Sequence, residues 1–452
     1  MKKQVFLVAI LTVLSIFTNS CAPSQSAIAT DAVQTSTALP STTPSLTTTS
    51  TNTPPSTPTF TITPTPSATI RIPEDEPTIQ AGIDAAPDGG LVLIAPGTYK
   101  ENLKISEKSI TLASHFHTTG DTQFIDNTVI DGNQQTVLTV VGAAGPDAKI
   151  IGLTFQNGDD GIKARRSTLH VLNNRFLYNK DGIDYANSGG LNSGNLYENN
   201  TDDGIDLDNG TEVIIENNMI RNNKNEGIEI RLHKYSGPTL NILIRNNIIS
   251  GNLEDGIQLI DYPDVSDRVF FIERNLIQGN AMAGLGLMDK GESNEDFRAA
   301  SMPERIYLIN NTFMDNHYGV SGGDNLIALN NLFLNSTTLA LKNVDTDSIA
   351  AYNLFWNNAT DVEGSNVDSN TTLFADPLLD ASAQLQQSSP AIDAGVAYFE
   401  WNGETILDLS QSAFSGDAPD LGAFELKPPQ AHTAALGMFW EQMANIAFIP
   451  PD

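Results

Sequence analysis

The chain has one cysteine in 452 residues, and Cys21 stands ahead of any stretch able to fill a core. An intramolecular disulfide is therefore excluded, whatever the redox compartment. Histidine is nearly as scarce, 6 in all, and His115, His117, His170 and His317 lie scattered without the spacing of a zinc site. No phosphate loop, dinucleotide fingerprint or nucleophile elbow is present. Positive charge is also short, with 24 Lys and Arg against 54 Asp and Glu, a formal net charge of −30. Nucleic-acid binding depends on cationic side chains that neutralise phosphates, so this balance argues against nucleic acid as a partner. It favours cations, or an anionic partner bridged by a cation. Long apolar runs are missing too; the longest, Val5 to Phe17, falls below the roughly 20 residues a spanning helix needs.

What the N-terminus does contain is Lys2 and Lys3, that apolar run, and small or polar residues before Cys21, the three parts of a secretory signal. A sole cysteine at this point resembles the acylation site of a secreted bacterial lipoprotein. The resemblance implies a signal segment over 1–21 cleaved ahead of a retained, lipidated Cys21, and a cell-surface location with membrane contact only through that anchor. Residues 22–69 are Ser, Thr and Pro with one charged side chain, Asp31. Such a composition cannot bury a core and reads as a disordered, extended spacer.

From there on the chain repeats. Asn179-Lys180-Asp181-Gly182-Ile183-Asp184 is followed by Asp202-Asp203-Gly204-Ile205-Asp206, Asn225-Glu226-Gly227-Ile228-Glu229 and Glu254-Asp255-Gly256-Ile257-Gln258. Asp159-Asp160-Gly161-Ile162-Lys163 is an earlier relative, and Ala283-Gly284-Leu285 and Tyr318-Gly319-Val320 are fainter ones. A second mark falls at Asn174, Asn195, Asn218, Asn247, Asn275, Asn311, Asn331 and Asn353. Steps of roughly twenty residues or more suit one coil of a β-solenoid, with longer steps as insertions. Alternation sets Ile205, Leu207, Ile228, Ile230, Ile257 and Leu259 inward, and Asp206, Asp208, Glu229, Arg231, Gln258 and Ile260 outward. A leucine-rich repeat is excluded by the missing Leu-x-x-Leu-x-Leu frame.

The opening of the array is more specific. Helical spacing over Thr78 to Ala86, a turn at Pro87-Asp88-Gly89-Gly90, an apolar strand from Leu91 to Ala95 and then Pro96-Gly97-Thr98-Tyr99 form its start. With Glu101 to Ile105 and Lys108 to Leu112, this resembles the cap and first coil of right-handed parallel β-helix proteins of the pectate lyase-like and NosD-like group. The resemblance implies an all-β, single-stranded parallel β-helix over 70–372 with a helical N-terminal cap. Phe374-Ala375-Asp376-Pro377, Ser389-Pro390-Ala391-Ile392-Asp393-Ala394-Gly395 and Asp420-Leu421-Gly422-Ala423-Phe424 resemble the closing segment of secreted β-helix proteins. They imply a capping segment over 373–430, with 431–452 as a tail or short helix.

Three ladders follow from stacking the coils. The asparagines bond from coil to coil and are structural. Asp160, Asp181, Asp203, Glu226 and Asp255 stack ahead of the glycines, about 4.8 Å apart, and need turn N–H groups or a divalent cation to offset their repulsion. Lys163, Asp184, Asp206, Glu229 and Gln258 form an outward strip that runs from basic through acidic to neutral, with Arg165, Asp208 and Arg231 two residues on.

Asp202-Asp203-Gly204-x-Asp206 resembles the calcium-binding motif of one pectate lyase family, which implies Asp181, Asp202, Asp203 and Asp206 as Ca²⁺ ligands. That family's base is a lysine one or two coils on. No lysine matches it, and Arg231 and Lys234 are the nearest candidates for the catalytic role, with Lys163, Asp184, Glu229 and Arg231 as substrate-binding residues. Asn179-Lys180-Asp181-Gly182 with Asp202-Asp203 also resembles polygalacturonases, whose Gly-His-Gly and Arg-Ile-Lys motifs are missing here. The expectation is a monomeric, surface-anchored protein that binds, and cleaves if it is an enzyme, an acidic polysaccharide or cell-surface glycan. The alternative is a non-catalytic adhesion or carbohydrate-binding β-helix.

Overall fold

The computed structural model describes residues 68–264 and 266–426. The signal segment 1–21 with Cys21, nearly all of the spacer 22–69 and the tail 431–452 lie outside the described residues. Among the described residues, three parallel sheets of 12, 11 and 12 strands run side by side. Each coil gives one strand to each sheet in a fixed order. Thr168–Leu172 joins sheet A, Arg175–Leu177 sheet B and Asp181–Ala186 sheet C, before Gly189–Ser193 returns to sheet A. The fold is a parallel β-helix.

Alternation fills the coil. Ile205, Leu207, Ile228 and Ile257 are buried in one continuous core that runs the length of the solenoid. Aromatic side chains stack within it along the axis, Phe155 on Phe176 at 5.3 Å and Phe176 on Tyr197 at 4.7 Å. At the N-terminal end a helix, Ile79–Ala85, turns Ile79 and Ile83 onto this core. Thr78 caps it by accepting the Ala81 N–H at 3.1 Å.

The corners are built from asparagine. Between sheets A and B, Asn195 Oδ1 accepts the Asn174 N–H at 2.8 Å, and the same bond repeats through Asn218, Asn247, Asn275, Asn311, Asn331 and Asn353. A second ladder, not read from the sequence, holds the corner between sheets B and C: Asn179, Asn200, Asn223, Asn252, Asn280 and Asn316. These bonds satisfy corner N–H groups that no sheet reaches. The glycine just beyond is required by a close approach. At Gly204 an added Cβ would lie 2.6 Å from the Gly227 carbonyl oxygen and 2.7 Å from Ile220 Cγ2.

The final coil extends to Phe374, just past the expected boundary, because Leu373 and Phe374 still pair with Leu354 and Phe355. The segment that follows runs back along the flank of the solenoid. Its hairpin, Tyr398–Trp401 with Glu404–Asp408, covers apolar residues on the outer face of sheet A, including Ile327, Leu329 and Ile349. Val396 is held at the corner by Asn330 Oδ1 at 2.9 Å, and Asn310 Nδ2 donates to the Asp420 carbonyl at 2.8 Å.

Candidate functional site

The outward strip keeps the expected register across sheet C: Lys163 beside Asp184, Asp184 beside Asp206, Asp206 beside Glu229, and Glu229 beside Gln258. Its exposure needs correction. Asp184, Asp206 and Glu229 point away from the coil core yet are only 6%, 7% and 3% exposed, and Gln258 and Ile260 are wholly buried. Two causes act. The acids ahead of each glycine lean onto the same face, so the two acidic ladders merge: Lys163 Nζ is 2.8 Å from Asp160, and Gln258 Nε2 donates to Asp255 at 3.2 Å. Insertions from later coils also crowd this face. His233 stacks on Tyr262 at 4.5 Å beside Asp208, and Gly291 packs against the same tyrosine ring.

Part of the repulsion within the acidic ladder is offset by backbone. Asp181 Oδ1 accepts the Asp203 N–H at 3.2 Å, and Asp203 Oδ1 accepts the Glu226 N–H at 3.1 Å. These donors come from the following coil rather than from each acid's own turn.

The four residues expected to share one calcium ion divide into two groups. In one, Asp181, Asp202 and Asp203 bring carboxylate oxygens within 4.8 Å of one another; in the other, Asp203, Asp206 and Glu229 do so. Asp203 is common to both. A third group, Asp184, Asp206 and Asp208, adjoins them. The first group already has a cation at its edge, because Lys180 Nζ lies 3.0 Å from Asp181 and 2.7 Å from Asp202. Lys180 was visible in the repeat, next to Asp181, but nothing in its spacing marked it as the partner of Asp202 one coil on.

Arg231 plays the same part for the second group. Its guanidinium is 3.1 Å from Asp206 Oδ2, contacts Glu229 and reaches to 4.0 Å from Asp208. Burial acts against its charge, but Asp206, Glu229 and Asp208 outweigh burial and raise its pKa. That is the opposite of what a proton acceptor needs, so Arg231 is held as a cation. Lys234, the other candidate base, is 71% exposed and faces Asp264 at 3.9 Å. Among the described residues no ion pair joins it to the acidic groups.

Lys163 and Arg165 are engaged as well. Lys163 Nζ is 3.1 Å from Asp184, and Arg165 grips the same carboxylate with two nitrogens, one of them 2.7 Å away. Burial pushes Asp184 up, but the hydrogen bond and charge of Arg165, with Lys163, hold it below the usual carboxylate range. Asp181, Asp203, Asp206, Glu226 and Glu229 shift upward. Burial, then the charge of Asp203, pushes Asp181 up to about 7 despite Lys180. Burial pushes Asp206 up to about 8 against the pull of Arg231. Glu226 and Glu229 rise through burial and the charge of Asp203, and Asp203 itself is raised by burial. The centre of the face therefore carries carboxyl groups that retain protons near neutral pH or accept a metal in their stead.

Beside Lys180 lies an open hollow of about 550 Å³, lined in part by Lys100, Asn133, Asn157, Tyr178 and Thr201. Tyr178 is 57% exposed there. A larger hollow, about 920 Å³, lies on sheet A between Ser167 and Phe271 and holds none of the acidic groups. The smaller one holds none of their carboxylates either and meets the first group only through Lys180.

A family described as "Right handed beta helix region" matches residues 139–299. No curated protein matches the sequence. Among solved structures, pectate lyase Pel9A aligns over 77% of this chain and 90% of its own, with TM-score 0.50 and 18% identity. The periplasmic alginate epimerase AlgG aligns over 63% of this chain and 77% of its own, with TM-score 0.37 and 13% identity. The A-module of the Azotobacter vinelandii mannuronan C-5 epimerase AlgE6 aligns over 66% and 94%, with TM-score 0.33 and 17% identity. By fold, the chain is a right-handed parallel β-helix, the fold it shares with pectate lyase Pel9A.

Proposed function

We propose that the outer face of sheet C binds an acidic polysaccharide with the help of Ca²⁺. The observation that carries this reading is the pair of carboxylate groups that share Asp203, each flanked by a half-exposed cation, Lys180 or Arg231. Every donor in both groups is a carboxylate oxygen, which suits a hard divalent cation. Asp181, Asp202 and Asp203 would hold it on the Lys180 side, and Asp203, Asp206 and Glu229 on the Arg231 side. A bound cation of this kind neutralises a uronate carboxylate and acidifies the neighbouring C–H.

The chain's own residues supply the rest of the binding. Lys180 and Arg231 carry positive charge at the rim, where a uronate carboxylate can exchange with Asp202 or Asp208 as a partner. The exposed ring of Tyr178 offers a flat face for a sugar, with Asn133 and Asn157 as nearby amide donors. The signal-like N-terminus and Cys21 support action outside the cytoplasm, with the chain held at the cell surface through a lipid. Among the described residues no helix is long and apolar enough to cross a membrane.

A second reading, cleavage of the same polymer, rests on Asp181. A carboxyl group near neutrality is suited to proton transfer. Both readings are tested by a panel of pectate, alginate and neutral glycans, with calcium or with chelator. Calcium-dependent retention of the uronate polymers alone supports binding, and retention of neutral glycans alone overturns it. New reducing ends, or ultraviolet absorbance from an unsaturated uronate, would establish cleavage; their absence removes it.

A further inference from the structure

The insertion between Ala283–Met288 and Arg305–Ile309 folds back over sheet C. It is anchored by Ala300 and Met302, both buried in the core, and by Asp289, which accepts from Arg298 at 2.7 Å and from the Ser301 N–H at 3.2 Å. Near its middle Glu295 turns inward. Its Oε2 meets Asp255 Oδ2 in the space that a side chain at Gly286 would fill. Asp255 is wholly buried, and no Lys, Arg or His among the described residues forms an ion pair with either acid.

Gln258 completes the arrangement. It is 0% exposed, its Nε2 donates to Asp255 Oδ2 at 3.2 Å, and its Oε1 has no hydrogen-bond partner; Glu295 Oε2 has none either. Two carboxylates and an amide from two parts of the chain, the 255–258 stretch and the insertion, thus come together where no protein cation among the described residues reaches. Turning the Gln258 amide over swaps its nitrogen and oxygen in the same volume and presents the oxygen to Asp255. Glycine at 286 leaves the room that the group occupies.

We propose that Asp255, Glu295 and the side-chain oxygen of Gln258 hold a divalent cation of the calcium or magnesium class, which ties the insertion 289–304 to the face of sheet C. Water supplies the remaining ligands that such an ion takes. This site lies two coils beyond Asp203, and it stands or falls independently of polysaccharide binding. Its role is to fix the covering of the face rather than to meet substrate.

The test is hydrogen–deuterium exchange of the full chain, read over 289–304, with Ca²⁺, with Mg²⁺ or with chelator. Wild type is compared with Glu295→Gln, Gln258→Glu and Asp206→Asn, the last of which weakens the separate group around Asp203. Exchange over 289–304 is expected to slow at least ~10-fold with the cation in wild type and in Asp206→Asn. The effect is lost in Glu295→Gln and strengthened in Gln258→Glu. Equal protection with cation and with chelator would mean that the two carboxyls share a proton instead, and would overturn the proposal. So would a cation effect abolished by Asp206→Asn, since the ion would then sit at the other group. If Glu295→Gln does not fold, Gln258→Glu decides the question, because only a cation site gains from a third carboxylate.

Discussion

The guanidinium of Arg231 stands 3.1 Å from Asp206 Oδ2, one coil back across sheet C. The arginine is therefore a counter-charge for an acidic group and not a free base. Replacing it by glutamine should leave Asp206 and Glu229 without a cation. Breaking such a pair costs several kcal/mol when it is fully buried; at a partly exposed arginine, with acids that can take up protons, a loss of about 2 kcal/mol is expected. Ca²⁺ should restore more stability to Arg231→Gln than it adds to wild type. Thermal melts of both proteins, with calcium and with chelator, check this. A loss that calcium does not restore would show that Arg231 and a cation do not act on the same carboxylates.

The raised carboxyls give a pH dependence with a definite sign. Burial, with neighbouring charge, holds Asp181 at about 7 and Asp206 at about 8 in the folded chain. In the unfolded chain both ionise near pH ~4, so between those values the native state binds more protons. Stability of the metal-free protein should thus fall as pH rises from about 5 to about 9, and the fall should be shallower in Asp181→Asn combined with Asp206→Asn, with the rest carried by the raised Glu226 and Glu229. Added calcium should flatten the slope, because the ion replaces the protons. A metal-free melting temperature that rises over this range would contradict the assignment.

The asparagine corners make a purely structural prediction. Asn218 Nδ2 donates to Asn247 Oδ1 at 3.1 Å and to the Asn192 carbonyl at 3.0 Å, while its Oδ1 accepts from Asn195. Asn218→Ala leaves several buried groups unpaired, at ~1–3 kcal/mol each. The melting temperature should drop by many degrees while polysaccharide binding below that temperature stays unchanged. Loss of binding in a folded Asn218→Ala would give the ladder a role beyond structure.

Gly204→Ala tests the close approach at the coil edge. The new methyl group would meet the Gly227 carbonyl oxygen and Ile220. Overpacking of this kind costs ~1–3 kcal/mol, and a stability equal to wild type in a chemical melt would contradict the tight stacking of the coils.

The coil itself was legible because its signals are local. Alternation through Ile205-Asp206-Leu207 fixes which residues fill the core, and Asn218 and its relatives recur at the same corner. The second ladder, Asn179 to Asn316, obeys the same rule, but apart from Asn179 its members stand two or three residues ahead of the acidic motifs, outside the stretches that define the repeat. The burial of Asp206, Glu229 and Gln258 was not legible, since it depends on insertions that reach back from later coils. Glu295 carried no repeat signal at all. The division of the calcium ligands had a similar cause: Asp181 and Asp202 share Lys180, a contact set by the stacking of coils rather than by spacing along the chain.

The central claim is that the acidic groups around Asp203 bind a uronate polymer through calcium. Isothermal titration of the full chain with oligogalacturonate and with oligoalginate, in calcium and in chelator, tests it most directly when repeated with Asp202→Ala and with Asp203→Asn plus Asp206→Asn. The account predicts binding by wild type in calcium for at least one oligomer, a loss of at least ~10-fold in chelator, and a similar loss in both variants. Equal affinity in chelator, or undiminished binding by the folded variants, would contradict it.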